Sequence, residues 1–286
     1  MENDRHTIFV YGTLRRHMAN AAFRKNASAA AEQCFTRGVL YDTGEGYPVL
    51  VQSGEERAYG ELIEVSSREL EAIDELEGCS AKREHNDYSR KILQVETDTG
   101  EVEAMAYVYD AGQTQGMKRV RHNDWKCHLY LQKKELLYFA YGSCMDEKRF
   151  IEHQADHHFK TVMGRGLAEG YDLAFTRRAA DGGRADMIET GGTVEGKVYK
   201  IKKEALEYLF EREGVLGSVY RPAFLDIEVN GERIEDVLTF LVIDKEEEIS
   251  PPQGYWNEII CGAEGCVSEE YLERLMSFPF HNEENS

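Results

Sequence analysis

Apolar and polar residues alternate along several short runs of the chain, as in Lys91-Ile-Leu-Gln-Val-Glu96 and Phe224-Leu-Asp-Ile-Glu-Val229. A period of two marks half-buried strands. Two other runs carry the helical period. Ser66 to Gly78 (SSRELEAIDELEG) sets Leu70, Ile73 and Leu76 on one inward face, and Lys202 to Gly214 (KKEALEYLFEREG) does so with Leu206, Leu209 and Phe210. Ser66 with Glu69 three residues on has the form of a capping box, and Gly78 and Gly214 supply the C-terminal position where positive φ is wanted.

These elements recur. The first half runs IFVYGTL (Ile8 to Leu14), YGELIEV (Tyr59 to Val65), the helix, DYSRKILQVE (Asp87 to Glu96) and EAMAYVYD (Glu103 to Asp110). The second half runs LYFAYGSCM (Leu137 to Met145), EGKVYKI (Glu195 to Ile201), the helix, VYRPAFLDIEV (Val219 to Val229) and EDVLTFLVID (Glu235 to Asp244). Five segments in the same order at similar spacing are an internal duplication. Each copy reads as strand, loop, further strands, one helix and two more strands, which is α+β rather than an alternating βαβ sheet. Short strands in that number suit a small barrel whose mouth holds one ligand.

A chain of 286 residues is the right length for two such domains. Leu129 to Glu135 separates the copies, and a boundary near Lys133 gives domains 1–132 and 133–286. The polar tail from His281 to Ser286 is expected to fray.

Composition narrows the function. No apolar run approaches the roughly 18–20 residues of a membrane span, and the start MENDRHTIFVYG does not read as a secretory leader. A net charge of −19 argues against nucleic-acid and anionic-membrane partners. The short basic stretch Lys118 to His122 reads as a solvated helix or loop face. Six scattered cysteines (Cys34, Cys79, Cys127, Cys144, Cys261, Cys266) read as reduced thiols of a cytoplasmic protein, and Cys261-x4-Cys266 lacks the second ligand pair of a zinc site. A small-molecule substrate is left as the default partner.

Two glutamates sit where helix electrostatics disfavours them. Glu77 and Glu213 each precede the glycine that ends their helix, against the negative end of the macrodipole, at a cost of about 0.3–1 kcal/mol. That setting raises a carboxyl pKa toward that of a general base. A solvated acidic helix explains the same residues, since Glu71, Asp74, Glu75, Glu207 and Glu211 are neighbours.

Tyr11-Gly12-Thr13-Leu14 and Tyr141-Gly142-Ser143-Cys144-Met145 each follow an apolar strand. Glycine there allows a turn with φ > 0, and consecutive N–H groups in such a turn form a nest for a carboxylate or oxyanion. An ordinary strand-ending turn is the plainer reading of either loop alone. Ser143 in a Ser/His/Asp triad and Cys144 as a nucleophile are further readings, but the first copy has Thr13 and Leu14 in those places and neither has a recognisable base.

Phe9-Val-Tyr-Gly-Thr-Leu14, Tyr47-Pro48, Tyr59-Gly60-Glu61-Leu62 and the helix ending Leu76-Glu77-Gly78 look like the AIG2-like branch of the γ-glutamylcyclotransferase superfamily. Tyr138-Phe-Ala-Tyr-Gly-Ser143, Gly196-Lys-Val-Tyr199, Glu213-Gly-Val215 and Tyr255 ahead of Ile259-Ile260-Cys261-Gly262 are similar to γ-glutamylcyclotransferase proper. The resemblance implies two tandem α+β domains, each a small mixed barrel-like sheet with helices around a cavity. It implies cyclisation of a γ-glutamyl group to 5-oxoproline with release of an amino acid or amine, without metal or organic cofactor. The family's catalytic glutamate matches Glu77 and Glu213, its substrate-binding loop matches Tyr11 to Leu14 and Tyr141 to Met145, and its pocket tyrosine matches Tyr255. The second loop departs from the pattern, with Cys144 where asparagine usually stands. A thiol cannot replace an amide's donors and acceptors. Competing expectations are a tandem binding or regulatory module with one or both sites non-catalytic, and an asymmetric pair.

Overall fold

The computed structural model describes residues 5–79 and 88–277. Asp87, at the head of one repeat segment, and the tail His281 to Ser286 lie outside them. The chain divides into two compact units, 1–130 and 131–286.

The first unit contains β1 (Arg5–Val10), β2 (Ser28–Arg37), β3 (Val39–Asp42), β4 (Pro48–Val51), β5 (Arg57–Ser66), α1 (Ser67–Leu76), β6 (Ser89–Thr97), β7 (Gly100–Val108), β8 (Lys118–Arg119) and α2 (Trp125–Tyr130). The second contains β9 (Glu135–Ala140), α3 (Glu147–Glu152), β10 (Thr161–Glu169), β11 (Asp172–Ala179), β12 (Gly182–Ile188), β13 (Thr193–Lys202), α4 (Ala205–Arg212), β14 (Tyr220–Val229), β15 (Glu232–Val242), α5 (Gln253–Ala263) and α6 (Glu269–Met276).

Five strands of each unit close into a barrel. The ring β1-β5-β2-β6-β7 joins parallel at Ile8 and Met105, and β9-β13-β10-β14-β15 joins parallel at Tyr138 and Leu238. The circular order is the same, so the duplication holds at the level of topology. Each ring is antiparallel elsewhere, and closure removes the sheet edges. In both units a hairpin is inserted between the second and third ring strands in chain order: β3–β4 in the first, β11–β12 in the second.

Side-chain alternation assigns the faces of β1. Phe9 packs with Leu62, Val95 and Trp125 in one cluster, while Ile8 and Val10 pack with Ile63, Leu70 and Ile73 beneath α1 in another. Both faces are dry, which is why β1 reads as a continuous apolar run. The close crossing of ring strands explains Gly60 and Gly196. A Cβ at Gly60 would lie 2.5 Å from the Val10 carbonyl oxygen, and one at Gly196 would lie 2.3 Å from that of Ala140.

The capping box at α1 forms as expected: the Glu69 amide donates to Ser66 Oγ at 3.4 Å and the Ser66 amide to Glu69 Oε2 at 2.9 Å. Gly78 and Gly214 take φ of 65° and 61° at the helix ends. Leu76 departs from the expected inward face; it is 37% exposed, because the last turn of α1 borders an open cavity rather than the core. The basic stretch departs too, since Lys118 and Arg119 form β8, paired with β3, and Val120 is buried.

Candidate functional site

In the first unit β1 delivers the Tyr11–Leu14 loop and α1 delivers Glu77 to one cavity of about 670 Å³. Its wall also carries Asn20 and Tyr47, with Tyr88, Tyr107 and Tyr109 from after the helix. The Tyr11 hydroxyl donates to the Tyr107 carbonyl at 2.7 Å, locking the loop to β7. The loop curls on itself, with the Arg15 amide donating to the Gly12 carbonyl at 3.1 Å. Among the described residues no acceptor takes the N–H of Gly12, Thr13 or Leu14, leaving consecutive donors beside the cavity.

Glu77 is the C-cap of α1, held there by its amide donating to the Ile73 carbonyl at 2.9 Å. Its carboxylate makes no hydrogen bond or ion pair among the described residues. Burial lifts its pKa to about 7. That is the state wanted of a general base at neutral pH.

Behind the loop lies a buried charge network that sequence reading missed. Arg15, 1% exposed, donates to Glu61 Oε1 at 3.1 Å and to Asp124 Oδ1 at 2.9 Å. The Arg16 amide donates to Glu61 Oε2 at 3.0 Å, Arg24 pairs with the same oxygen, and Lys126 lies 3.6 Å from Oε1. Burial pushes the Glu61 carboxyl up, but Arg15, Lys126 and Arg24 overcome it and hold the pKa at about 2. The network pins the chain immediately after the loop.

In the second unit Tyr141 donates to the Phe240 carbonyl at 2.6 Å, the counterpart of Tyr11 to Tyr107. Glu213 is again the C-cap, its amide on the Leu209 carbonyl at 2.9 Å. Everything around that shared frame differs. The chamber lined by Tyr141, Gly142, Ser143, Cys144, Glu213 and Tyr255 is only about 40 Å³, room for a few waters at roughly 10–15 Å³ each. The Cys144 thiol donates to Glu213 Oε1 at 3.3 Å. Burial raises the Glu213 pKa, opposed by Arg212 and by the Cys144 bond. Outside the chamber, Ser143, Glu213, Tyr220 and Tyr255 also border a cleft of about 720 Å³ that holds Arg149, Arg177, Arg184 and Arg212.

Every expected first-site residue thus lines one cavity, and in the second site all but one do. Met145 is fully buried, its carbonyl accepting from Lys197 Nζ at 2.9 Å, because the turn Ser143–Met145 is packed against Gly262 of α5. Neither loop glycine serves a positive φ: Gly142 has φ −114° and Gly12 is not left-handed either. Close approach is the reason instead. A Cβ at Gly12 would lie 2.9 Å from the Pro48 ring, and one at Gly142 would lie 3.2 Å from Ala185 Cβ.

Tyr255 reaches the chamber from α5, accepting from the Ala185 amide at 3.2 Å. The nucleophile readings find no support. No histidine is among the described residues lining either site, and Ser143 Oγ accepts from Arg212 at 3.0 Å. Burial, with Glu213 nearby, pushes the Cys144 thiol up to about 12, so it stays protonated. Cys261 and Cys266 are free thiols, and among the described residues no group of three or more His, Cys, Asp or Glu is placed to hold a metal. No helix among the described residues is long and apolar enough to cross a membrane.

Residues 8–127 match the family "Gamma-glutamyl cyclotransferase, AIG2-like", and residues 193–275 match "AIG2-like family". YkqA of Bacillus subtilis (strain 168), named as a candidate gamma-glutamylcyclotransferase, is 41% identical over 272 residues, covering 94% of this chain and 95% of its own. The crystal structure of YkqA superposes with a TM-score of 0.86 at 38% identity, over 97% of this chain and 100% of that one. The gamma-L-glutamyl-butirosin B gamma-glutamyl cyclotransferase of Niallia circulans is 36% identical over 147 residues, 51% of this chain and 86% of its own.

Proposed function

The chain belongs to the γ-glutamylcyclotransferase superfamily as two tandem domains, and on that premise we propose that its first domain cyclises γ-glutamyl conjugates to 5-oxoproline with Glu77 as the proton shuttle. The observation that carries this reading is an unpaired carboxyl, poised near neutrality, facing an open cavity beside three free backbone N–H groups.

The chemistry follows from those groups. The α-ammonium of a bound γ-glutamyl group gives a proton to Glu77. The freed amine attacks its own γ-carbonyl, forming the new C–N bond of a five-membered ring. Negative charge gathers on the carbonyl oxygen, where the N–H groups of Gly12, Thr13 and Leu14 can stabilise it. As the tetrahedral carbon collapses, its bond to the leaving nitrogen breaks and Glu77 returns the proton there. The ring nitrogen then gives up its second proton, which Glu77 passes on to the released amine, so the lactam keeps one N–H and the amine departs as an ammonium. No water is consumed, and Glu77 ends as it began. Ring closure is intramolecular, so holding the γ-glutamyl chain folded supplies much of the acceleration. Tyr11, with its hydroxyl committed to Tyr107, positions the loop rather than moving a proton.

The same frame in the second domain supports two readings. Glu213 acts as the equivalent base, or the second site binds its ligand without turnover. The second is favoured by the Cys144–Glu213 bond and the small chamber.

The test is release of 5-oxoproline from γ-glutamyl-amino acids and γ-glutamyl-amines by the full chain. Glu77→Gln should lower kcat at the first site by about 10²-fold or more. Glu213→Gln should leave that activity in place. Undiminished turnover in the double variant would sink the mechanism.

A further inference from the structure

The inserted hairpins border both sites and carry opposite charge. In the first domain the β3–β4 hairpin gives the cavity Glu45, Tyr47 and Pro48, and among the described residues no Lys, Arg or His lines that cavity. In the second domain the β11–β12 hairpin gives the outer cleft Arg177 and Arg184 with one carboxylate, Asp181, a net positive contribution. The helix ends repeat the contrast: the residue before the glutamate is Leu76 in one copy and Arg212 in the other.

Arg177 and Arg184 stand directly opposite each other in the hairpin, an arrangement in which like charges repel. Arg184 is relieved by Asp181 at 2.7 Å and lies 4.9 Å over the Tyr255 ring, and Arg149 is paired with Glu258. Among the described residues Arg177 and Arg212 have no carboxylate within ion-pair distance, although the Glu213 charge acts on Arg212. Arg177 donates to the neighbouring Arg178 carbonyl, and Arg212 donates to Ser143 Oγ while its Nε is buried without an acceptor. Two guanidinium groups without a close ion pair thus border a cleft whose wall also carries Asp181, Glu211, Glu213 and Glu258, and they offer donors that match a carboxylate ligand.

We propose that the second domain takes γ-glutamyl conjugates whose amine side is an acidic amino acid or acidic peptide, with Arg177 and Arg212 gripping its carboxylates. This rests on the reading of the second copy as a γ-glutamyl site, in either its catalytic or its binding form. The glutamyl end points toward Glu213 and the Tyr141–Cys144 loop, and the departing side lies in the cleft. Substrate choice then resides in the inserted hairpin and the residue before the glutamate, outside the barrel that carries the chemistry.

The experiment uses the full chain with Glu77→Gln, which silences the first site. γ-Glutamylglutamate, γ-glutamylalanine and γ-glutamylbutylamine are compared by kcat/KM, and binding of γ-glutamylglutamate is measured by calorimetry in the Glu77→Gln/Glu213→Gln protein. The acidic conjugate should be preferred over the neutral amine by about tenfold or more. Arg177→Gln or Arg212→Gln should bring that ratio toward one and weaken binding by a similar factor. Turnover with no acidic preference would overturn the inference and leave the catalytic reading standing. Binding that depends on both arginines, without turnover, would uphold the inference and make the second domain a binder. Binding indifferent to both arginines, or none at all, would overturn it.

Discussion

Two copies of one barrel present the same glutamate and the same loop in two different states. In the first, Glu77 is unpaired at the wall of one cavity of about 670 Å³; in the second, Glu213 takes a hydrogen bond from Cys144 between an inner chamber of about 40 Å³ and an outer cleft of about 720 Å³. The hydroxyl-to-carbonyl lock, the C-cap and the positive-φ glycine after it are common to both. The repeated frame therefore fixes where the glutamate sits. Its protonation, the room in front of it and the charge of the approach are set by elements the ring does not constrain. A shared fold specifies a position, and the surroundings specify its use.

The largest difference lies behind the loops. The residue after the close-packed ring glycine is Glu61 in one copy and Lys197 in the other. Glu61 is 3% exposed and bound by Arg15, Arg24 and Lys126. Lys197 is half-buried, bonded to the Met145 carbonyl and 3.5 Å from Glu147. Glu61→Gln removes the carboxylate that Arg15, Arg24 and Lys126 share, at a cost of about 3–5 kcal/mol. Lys197→Met should cost about 1 kcal/mol or less. Calorimetric unfolding of the two full-length variants checks this, and equal shifts would mean the buried network is neutral. Because Glu61 also holds the Arg16 amide, its loss should lower first-site turnover as well.

Glu61 and Glu77 also oppose each other in pH dependence. The depressed pKa of Glu61 means its stabilisation is present above about pH 4.5 and is lost as pH falls toward 2. Glu77 has the reverse sign. Its raised pKa costs nothing when the carboxyl is protonated in both folded and unfolded states, and the cost grows as pH rises from about 4.5 through 7. Glu77→Gln should therefore stabilise the first domain at pH 8 by about 1–3 kcal/mol and do little at pH 4. The wild-type first-site kcat/KM should climb with pH and level off above about 7. Thermal melts of both proteins at the two pH values, with a pH–rate profile, test both halves. A Glu77→Gln chain no more stable than wild type at pH 8 would show the carboxyl to be well solvated.

Much of this was legible in the chain. Repeated segments gave four of the five strands in each ring, and the macrodipole singled out Glu77 and Glu213. The missing ring strands, β2 and β10, carry register shifts at Ala29/Ala31, Ala31/Cys34 and Val162/Gly164, although the β14–β15 pair, which was legible, has one too at Leu225/Ile227. A bulge breaks the alternation that marks a strand. Gly12 and Gly142 were identified for the wrong reason, since the contact with Pro48 or Ala185 depends on hairpins far along the chain. The Arg15–Glu61–Asp124 network was invisible for a similar reason, because its members come from three distant segments. Arg212 did carry a signal, a cation beside the candidate base position in one copy only, but its meaning required the fold to bring Arg177 to the same cleft.

The smallest effect is the most direct probe of what separates the sites. Cys144 is 6% exposed, and its thiol both lines the chamber and donates to Glu213 Oε1. Cys144→Ala removes one sulfur and one hydrogen bond, which should cost about 1 kcal/mol of second-domain stability. It also strips a donor from the ionised carboxylate, so the Glu213 pKa moves further up, while the chamber gains the sulfur's volume. If the thiol is what holds the second site closed, this variant should bind γ-glutamyl conjugates several-fold more tightly in the Glu77→Gln background, with its acidic preference unchanged. Calorimetry reads both quantities in one titration series. Unaltered affinity would place the difference between the two copies in the cleft and its arginines, and remove the chamber from the account.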